Sequence, residues 1–182
     1  GHVVLCAQPL INNEAFAVLL ADDLIDSTIP CLKQMLAIYQ EKQSTIIAVQ
    51  ATSPEESEQY GIIGYKVKTG RLSQINNIIE KPSHKEAPSN LAVVGRYILN
   101  STIFPYLSTT AVGKGGEIQL TDAIARQLQD EIMHAWEFEG VRYDCGSKLG
   151  YLKATIAFAL KHPETKKPFT NYLKNFNTNS II

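Results

Sequence analysis

The sequence contains few cysteines and no long hydrophobic run, and both absences limit the classes of protein it can represent. Its three cysteines, Cys6, Cys31 and Cys145, are odd in number and include no C-x-x-C pair. This pattern argues against a disulfide framework and predicts reduced thiols in a cytoplasmic protein. No stretch approaches about 18 apolar residues and no signal peptide is recognisable, so neither a membrane span nor secretion is predicted.

An excess of charge of one sign is also lacking. The 182 residues carry 17 Lys and Arg against 18 Asp and Glu, a formal net charge of −1, with no run of like charges. The composition therefore predicts neither nucleic-acid binding nor attraction to an anionic membrane. The hydrophobic content of 45% is typical of one globular domain. A chain of this length buries roughly 70% of its unfolded surface, enough for a sizeable core.

What the sequence does contain is a dense, strand-like region over Asn76–Asn100. Within it, Glu80 and Lys81 stand side by side after a short apolar run, and Pro82 ends any strand because it lacks an N–H donor. Charged groups at the tip of a buried strand need partners, which a ligand with hydroxyls and a phosphate would supply. The alternative is an ordinary solvated pair at the surface.

Upstream, the apolar segment Ala15–Leu20 predicts a strand buried on both faces, in a sheet with helices on both sides. This strand delivers Asp22 at its carboxyl end, where open α/β sheets bind ligands. A helix is predicted over Ser27–Glu41, with Pro30 in its first turn, and a second strand over Thr45–Ala51. Strand, helix and strand in this order predict a β-α-β unit with parallel pairing and a right-handed crossover.

Alternating residues over 62–80, with a turn at Gly70, predict an antiparallel β-ribbon that ends at the Glu-Lys pair. Gly61, at the start of the ribbon, permits either a plain turn or the close approach of another group to the backbone. Leu91–Leu99 is predicted to form a buried strand. The glycine-rich loop 111–117 lacks the spacing of a Walker A phosphate loop, so no such loop is predicted there.

Near the end of the chain, His134 lies in an alternating apolar segment and is interpreted as a packing residue. Asp144 precedes Ser147, a good helix cap, and so stands just ahead of a helix N-terminus. That position suits an anion or a metal-bridged phosphate. A role as a simple capping carboxylate is the alternative. The helix that follows carries an apolar stripe made of Leu149, Leu152, Ile156 and Leu160.

Six motifs occur in a fixed order: GH with VVLCA, AVLLADD, YGII, IIEKPSHKEAPSNLAVVGRYIL, GEIQLTDAI and DCGSKLGYLKA. Each motif is weak alone, but the ordered set is specific. In this set the chain resembles the bacterial UTP–glucose-1-phosphate uridylyltransferases (UDP-glucose pyrophosphorylases), which are nucleotide-diphospho-sugar transferases. The resemblance spans nearly the whole chain. Ala21, where that family commonly has proline, is a minor departure.

The resemblance implies an α/β fold: a Rossmann-like mixed, mostly parallel sheet flanked by helices, with an added β-ribbon. It also implies that the first strand and its G-x-G-T-R nucleotide-binding loop are missing. The expectation is therefore a single domain over residues 1–182, forming the C-terminal two-thirds of a catalytic domain, with a helical tail over 164–182. Such an N-terminally truncated fragment is expected to be inactive alone.

For function, the resemblance implies that UTP and α-D-glucose 1-phosphate are converted to UDP-glucose and pyrophosphate. The sugar phosphate attacks the α-phosphate of UTP in line, so the chemistry depends on charge neutralisation and positioning. Mg²⁺ suits this reaction because one or two carboxylates and phosphate oxygens usually hold it. By the match, Asp22 and Asp144 are the metal ligands and catalytic carboxylates, expected to converge if both end strands on the same side of one sheet.

The resemblance also assigns the substrate-binding residues. Lys81 would hold the sugar phosphate as a catalytic point charge, and Glu80 would accept hydrogen bonds from glucose hydroxyls. Gly61 and Val93 would line the sugar pocket, and Gly1 would belong to the segment that binds uracil. Assembly into a homo-oligomer is expected.

Two other functions stay open at this point. One is a related sugar nucleotidylyltransferase, for instance of the dTDP-glucose type. The other is a non-catalytic module that binds sugar phosphate or serves in assembly and keeps the fold without turnover. An in-frame G-x-G-T-R loop upstream of this sequence would favour an enzyme over such a module.

Overall fold

The computed structural model describes residues 1–113 and 116–176. Residues 114–115 of the glycine-rich loop and residues 177–182 of the predicted helical tail lie outside the described part. The chain divides into two compact units. The larger comprises Gly1–Leu20 and Ser27–Gly140, and the smaller comprises Ala21–Asp26 and Val141–Ile182. The prediction that residues 1–182 form a single domain stays a prediction.

The helices and strands of the described residues are, in chain order, α1 (His2–Cys6), β1 (Phe16–Leu19), β2 (Asp23–Asp26), α2 (Cys31–Lys42), β3 (Ile46–Ala51), β4 (Gly61–Thr69), β5 (Leu72–Glu80), β6 (Leu91–Leu99), α3 (Ile103–Thr109), α4 (Leu120–Gln127), β7 (His134–Glu137), β8 (Val141–Asp144), α5 (Lys148–Ala159) and α6 (Pro163–Asn175). Short 3₁₀ turns occur at Gln8–Leu10 and Glu55–Gln59. Among the described helices, none combines the length and the apolar character that a membrane crossing would need.

The larger unit is built on a six-stranded mixed sheet in the order β1-β6-β3-β7-β5-β4, in which β4 also pairs with β6. The β3–β7 pairing is parallel, and the other five pairings between described strands of this sheet are antiparallel. The mixed α/β sheet and the β-ribbon, formed by β4 and β5, are confirmed. The expectation of a mostly parallel sheet is wrong for this part of the fold, because the ribbon and β6 both contribute antiparallel ladders.

The predicted β-α-β unit is right in direction but wrong in pairing. β1 and β3 both run antiparallel to β6, so they point the same way, but β6 lies between them. Ile98 of β6 pairs with Ala17 on one side and with Ile46 on the other. A strand from later in the chain thus separates two strands that are neighbours in sequence.

Helices cover both faces of the sheet. On one face, Ile47 and Val49 of β3 belong to an apolar cluster with residues of α3 and α4. Because successive side chains of a strand point to opposite faces, Ile46 and Ala48 face the other way, towards α2, whose Met35 is fully buried. This arrangement confirms the predicted helices on both sides and makes the sheet a rigid support for the residues at its strand ends.

β1 differs from its prediction as a strand buried on both faces. Its residues alternate between half-buried and exposed, and Leu19 retains 51% of its accessible surface. β1 pairs only with β6, so in the described sheet it is an edge strand. An all-apolar sequence therefore did not distinguish an edge strand from a central one.

The described part of the smaller unit consists of an antiparallel pair, β2 and β8, followed by α5 and α6. The helix predicted over Ser27–Glu41 begins later than expected. α2 starts only at Cys31, after Pro30 at its N-cap, and residues 23–26 before it form β2. The cap of α5 is confirmed, since the Ser147 Oγ accepts a hydrogen bond from the Gly150 N–H at 3.0 Å.

The predicted apolar stripe of α5 is exposed. Leu149, Leu152 and Ile156 keep 62%, 57% and 42% of their accessible surface. The helix packs instead through Gly150 and Ala154, four residues apart: a Cβ on Gly150 would lie 1.8 Å from the Asp144 carbonyl oxygen, and Ala154 is buried. This close backbone approach decides which face of α5 packs, and helical spacing alone could not reveal it.

Candidate active site

Three predicted sugar-pocket residues lie at the same level of three neighbouring strands. Gly61 of β4 pairs with Glu80 of β5. On the other side of β4, Ile62 pairs with Ala92 of β6, so continuing that register by one residue brings Gly61 opposite Val93. Side chains at one level of a sheet point to the same face. The register thus gathers Glu80, Gly61 and Val93 from distant parts of the chain.

The Glu80 carboxylate lies directly over the Gly61 backbone. A Cβ on Gly61 would be 3.2 Å from Glu80 Oε2 and 3.4 Å from Thr121 Oγ1. Gly61 is therefore a strand residue beside a close contact and not a plain turn. The Thr121 hydroxyl donates a hydrogen bond to Glu80 Oε2 at 2.6 Å. Glu80 is thereby held at the end of β5 by a residue of α4.

Lys81 has an unusual backbone conformation. Its φ of 47° lies in the left-handed region, and it directly precedes Pro82, a position that favours extended backbone. Its N–H donates to the Tyr60 carbonyl at 3.0 Å, which closes the β4–β5 ribbon. Its side chain is exposed, and no carboxylate of residues 1–113 or 116–176 forms an ion pair with it. Backbone strain of this kind clusters at functional sites.

Gly1 lies beside the same carboxylate. Gly1 lies near both Glu117 and Glu80, whose charges act on its backbone nitrogen. A Cβ on Gly1 would lie 2.3 Å from the Ile118 carbonyl oxygen, so the backbone approaches closely there. Gly1, Glu117 and Ile118 line part of a cavity of about 390 Å³. All five predicted residues of the larger unit, namely Gly1, Gly61, Glu80, Lys81 and Val93, therefore fall at or next to one end of the ribbon.

The two predicted metal ligands converge in the smaller unit. Asp22 directly precedes β2, and its carbonyl accepts a hydrogen bond from the Cys145 N–H at 2.7 Å. A Cβ on Gly146 would lie 3.1 Å from Asp144 Oδ1 and 3.3 Å from Asp22 Oδ2. The carboxylates thus share the space left by one glycine. The reason differs from the expected one, because the antiparallel β2–β8 pair joins them and not two strand ends of a common sheet.

A buried ion pair supports this carboxylate pair. Asp23, opposite Asp144 in the register, forms a hydrogen-bonded ion pair with Arg142, and both side chains are almost fully buried. Arg142 Nη2 also lies 3.8 Å from Asp144 Oδ2. Burial raises the pKa of Asp23, Arg142 partly offsets this, and the charges of Asp144 and Asp22 raise the pKa further. Three neighbouring carboxylates, Asp22, Asp23 and Asp144, outnumber the one guanidinium and leave a local negative charge, which attracts cations.

The donor set fits a hard divalent cation such as Mg²⁺. Asp22 and Asp144 supply carboxylate oxygens, and Asp144 Oδ1 is oriented by the Gly146 N–H at 3.0 Å. Within the described residues no group of three or more His, Cys, Asp or Glu could hold a metal. Mg²⁺ commonly takes only one or two protein carboxylates and completes its shell with waters and phosphate oxygens. The pair thus suits an ion shared with a phosphate ligand.

Three supporting residues were not predicted from the sequence: Thr121, Asp23 and Arg142. Asp23 stands in the sequence directly after the predicted ligand Asp22, and a charge that becomes buried needs a partner. Nothing in the local pattern indicated Thr121 or Arg142, whose contacts span 41 and 119 residues of sequence.

Comparisons with known proteins identify the family of this chain. A family model described as Nucleotidyl transferase matches residues 2–159. The chain is 43% identical over 177 residues to a UTP–glucose-1-phosphate uridylyltransferase from Staphylococcus epidermidis. The alignment covers 97% of this chain, and this chain spans 62% of the length of that relative.

Solved structures give the same result. A UDP-glucose pyrophosphorylase crystallised with UDP-glucose matches with a TM-score of 0.85 and 45% identity, over 88% of this chain and 62% of that one. The UTP-bound UGPase from Acinetobacter baumannii matches with a TM-score of 0.87 and 37% identity, over 97% of this chain and 61% of that one.

Proposed function

This chain belongs to the nucleotidyl transferase family, and we propose that the protein transfers the uridylyl group of UTP to glucose 1-phosphate. An oxygen of the sugar phosphate bonds to the α-phosphorus of UTP, and the bond from that phosphorus to the bridging oxygen breaks. Pyrophosphate leaves in line, and UDP-glucose is the second product. Because the chain spans 62% of its curated relative, the proposal concerns the full-length protein.

The observation that carries the proposal is the convergence of the Asp22 and Asp144 carboxylates at Gly146. Two anionic substrates must approach each other, so the reaction needs a site that gathers positive charge. Members of this family generally use a divalent metal, and we propose Mg²⁺ held by Asp22 and Asp144. When bound, the ion would neutralise charge on the phosphate oxygens.

In the larger unit, the proposed task is recognition of the sugar 1-phosphate. Lys81 carries a compact positive charge on an exposed side chain, which suits a phosphate. Glu80, fixed over Gly61, offers carboxylate oxygens to sugar hydroxyls, and Val93 supplies an apolar wall beside Gly61. Gly1, which lines the cavity with Ile118, would belong to the segment that meets the uracil base.

The relatives support the choice of substrates. The Staphylococcus epidermidis relative is named a UTP–glucose-1-phosphate uridylyltransferase, one solved relative is complexed with UDP-glucose, and another is UTP-bound. We also propose a cytoplasmic homo-oligomer, and the free thiols of Cys6, Cys31 and Cys145 support a reducing compartment. Light scattering on the full-length protein measures the oligomeric state directly.

Pyrophosphate release from the full-length protein, incubated with UTP or dTTP and several sugar 1-phosphates, tests the proposal. We expect UTP with glucose 1-phosphate to give the highest kcat/KM. A preference for dTTP would favour the thymidylyl enzyme, and no release with any pair would favour a non-catalytic binding module. Either result contradicts the proposed reaction.

Two variants test the residue roles. Asp144→Asn should lower kcat by about 100-fold or more with an unchanged fold, because a neutral amide binds Mg²⁺ poorly. Asp130→Asn, at an exposed carboxylate that accepts a hydrogen bond from Tyr106, is the matched control.

Lys81→Ala should weaken binding of the sugar 1-phosphate by about 2–4 kcal/mol, whereas Lys85→Ala in the same loop should not. Near-normal kinetics of either site variant would remove that residue from the proposal.

A further inference from the structure

We propose that Thr121 is a positioning residue that fixes Glu80 for recognition of a sugar hydroxyl. The inference rests on the proposed function and adds a residue to its sugar-binding site. Thr121 is the second residue of α4, whereas Glu80 is the last residue of β5. The proposal assigns to α4 a part in substrate selection and not only in core packing.

The contact is short, buried and directed. Thr121 Oγ1 donates to Glu80 Oε2 at 2.6 Å, and Thr121 keeps only 7% of its accessible surface. Hydrogen bonds to an ionised carboxylate are shorter and stronger than neutral ones. A threonine in the first turn of a helix can instead cap its own helix. Here the hydroxyl joins two elements that are 41 residues apart in sequence.

Gly61 makes this arrangement sterically possible. A Cβ at residue 61 would lie within 3.2 Å of Glu80 Oε2 and 3.4 Å of Thr121 Oγ1, so both groups occupy the space that a side chain would fill. The glutamate therefore lies flat across β4 with one oxygen held by Thr121. Its other oxygen, Oε1, forms no hydrogen bond or ion pair with the described residues.

A fixed carboxylate recognises a hydroxyl better than a free one. A glutamate side chain loses rotamer freedom when it binds a ligand, and a partner that has already ordered it removes part of that cost. Thr121 also leaves Oε1 as the acceptor that the ligand meets. We expect Thr121 to influence binding of the sugar, and the discrimination between hydroxyl patterns, more than the rate of phosphoryl chemistry.

The test uses Thr121→Val, which keeps the shape but removes the hydroxyl, and Thr121→Ser, which restores the donor. In the full-length protein, Thr121→Val should raise the KM for glucose 1-phosphate about tenfold, as expected for loss of one hydrogen bond to a charged group. The kcat should change little, and Thr121→Ser should stay near wild type. Thr45→Val, which removes another buried threonine hydroxyl, controls for lost stability.

Deoxyglucose 1-phosphates, each lacking one hydroxyl, provide the sharper readout. The wild-type protein should discriminate against the analogue that lacks the hydroxyl bound by Glu80, and Thr121→Val should reduce that discrimination about tenfold. Calorimetric titration with UDP-glucose should show the same loss of affinity without turnover. If Thr121→Val unfolds under assay conditions, Thr121→Ala, measured below its thermal midpoint, is judged by the same criteria.

The outcomes separate the two proposals. An active wild-type enzyme whose Thr121→Val variant keeps the original KM and discrimination would overturn the role of Thr121 alone. A Thr121→Ser variant as impaired as Thr121→Val would also overturn it, because the hydroxyl would not be the cause. A wild-type protein that releases no pyrophosphate from UTP and glucose 1-phosphate would overturn the proposed function, and the positioning role with it.

Discussion

The larger unit positions Gly61, Glu80 and Val93 through the register of three paired strands, whereas the smaller unit positions Asp22 and Asp144 around a buried ion pair. In the larger unit, helices cover both faces of a six-stranded sheet, and the backbone ladder fixes each strand end. The described residues of the smaller unit form two short strands and two helices, and the apolar stripe of α5 is exposed. Because few apolar residues of the described part of the smaller unit are buried, polar contacts hold the Asp22 and Asp144 side chains in place.

Because the two sets of site residues are held in place differently, they should respond differently to mutation. In a site held by strand register, the loss of one side-chain contact should change substrate binding but leave the strand ends in place, because the ladder remains. A site held by Asp23 and Arg142 should be disturbed when either partner is removed, since buried charges depend on each other. Four predictions test this contrast.

The largest effect is expected from Arg142→Met. This change leaves the buried Asp23 carboxylate without its guanidinium and should lower the free energy of unfolding of the smaller unit by about 3 kcal/mol. Hydrogen exchange of the full-length protein should show the loss in β2 and β8. The control is Arg71→Met, whose ion pair with Glu139 is exposed and should contribute less than about 1 kcal/mol.

Replacing both members of the buried pair refines this prediction. The double variant Asp23→Leu with Arg142→Met should recover much of the lost stability, because no buried charge remains. Equal destabilisation by Arg71→Met and Arg142→Met, or no recovery in the double variant, would mean that charge does not hold the smaller unit together.

Gly150→Ala should have the next largest effect. Alanine in place of glycine stabilises a helix by about 1 kcal/mol. At residue 150, however, the alanine Cβ would lie 1.8 Å from the Asp144 carbonyl oxygen. We therefore expect a net loss of about 2 kcal/mol, measured by chemical denaturation. Lys153→Ala, at an exposed position of the same helix, should be neutral or slightly stabilising. A stabilised Gly150→Ala variant would contradict the close approach of α5 to β8.

A matched pair of glycine variants compares the two sites directly. Gly61→Ala crowds Glu80 and should raise the KM for glucose 1-phosphate about tenfold. Gly146→Ala crowds Asp22 and Asp144 instead. It should raise the Mg²⁺ concentration needed for half-maximal activity about tenfold. Each variant should leave the other parameter nearly unchanged. If both variants change both parameters equally, the division of tasks between the two sets of residues is wrong.

The smallest effect concerns pH and belongs to the larger unit. Burial, with the charge of Lys42 as a smaller cause, lowers the pKa of His134 from its ordinary value near 6.5. Because folding favours the neutral form, its stabilising contribution is present above that value and is lost as the pH falls through the lowered pKa. His134→Phe should therefore flatten the fall in thermal midpoint between about pH 7 and about pH 5.

The same substitution at His84, whose side chain is exposed, is the control for the pH prediction. The pH profile of the thermal midpoint of His84→Phe is measured beside that of His134→Phe, so that the effect of the substitution itself can be subtracted. His134 Nδ1 lies 2.8 Å from Ser44 Oγ, so a small pH-independent loss of stability is also expected in His134→Phe. An unaltered pH profile in His134→Phe would show that another group controls acid stability.

Much of the fold could be predicted from the sequence, because prolines, alternating apolar residues and helix caps restrict the backbone locally. Pro82 ended β5 at the expected place, the alternating ribbon residues formed β4 and β5, and Ser147 capped α5 as predicted. Edge strands, strand neighbours and the packing face of α5 were not predicted correctly. Apolar spacing indicates which residues avoid water, but it does not identify the surface that covers them.

The candidate site divides in the same way. The resemblance carried by the ordered motifs named Asp22, Glu80, Lys81 and Asp144 as candidate site residues, and their roles stay predictions. Only the tertiary structure decided that Thr121 holds Glu80, that Arg142 joins Asp23 to Asp144, and that β6 enters between β1 and β3. The physical reason is that backbone conformation depends on neighbours in sequence. A hydrogen bond or ion pair between distant residues exists only after the chain has chosen one topology and register.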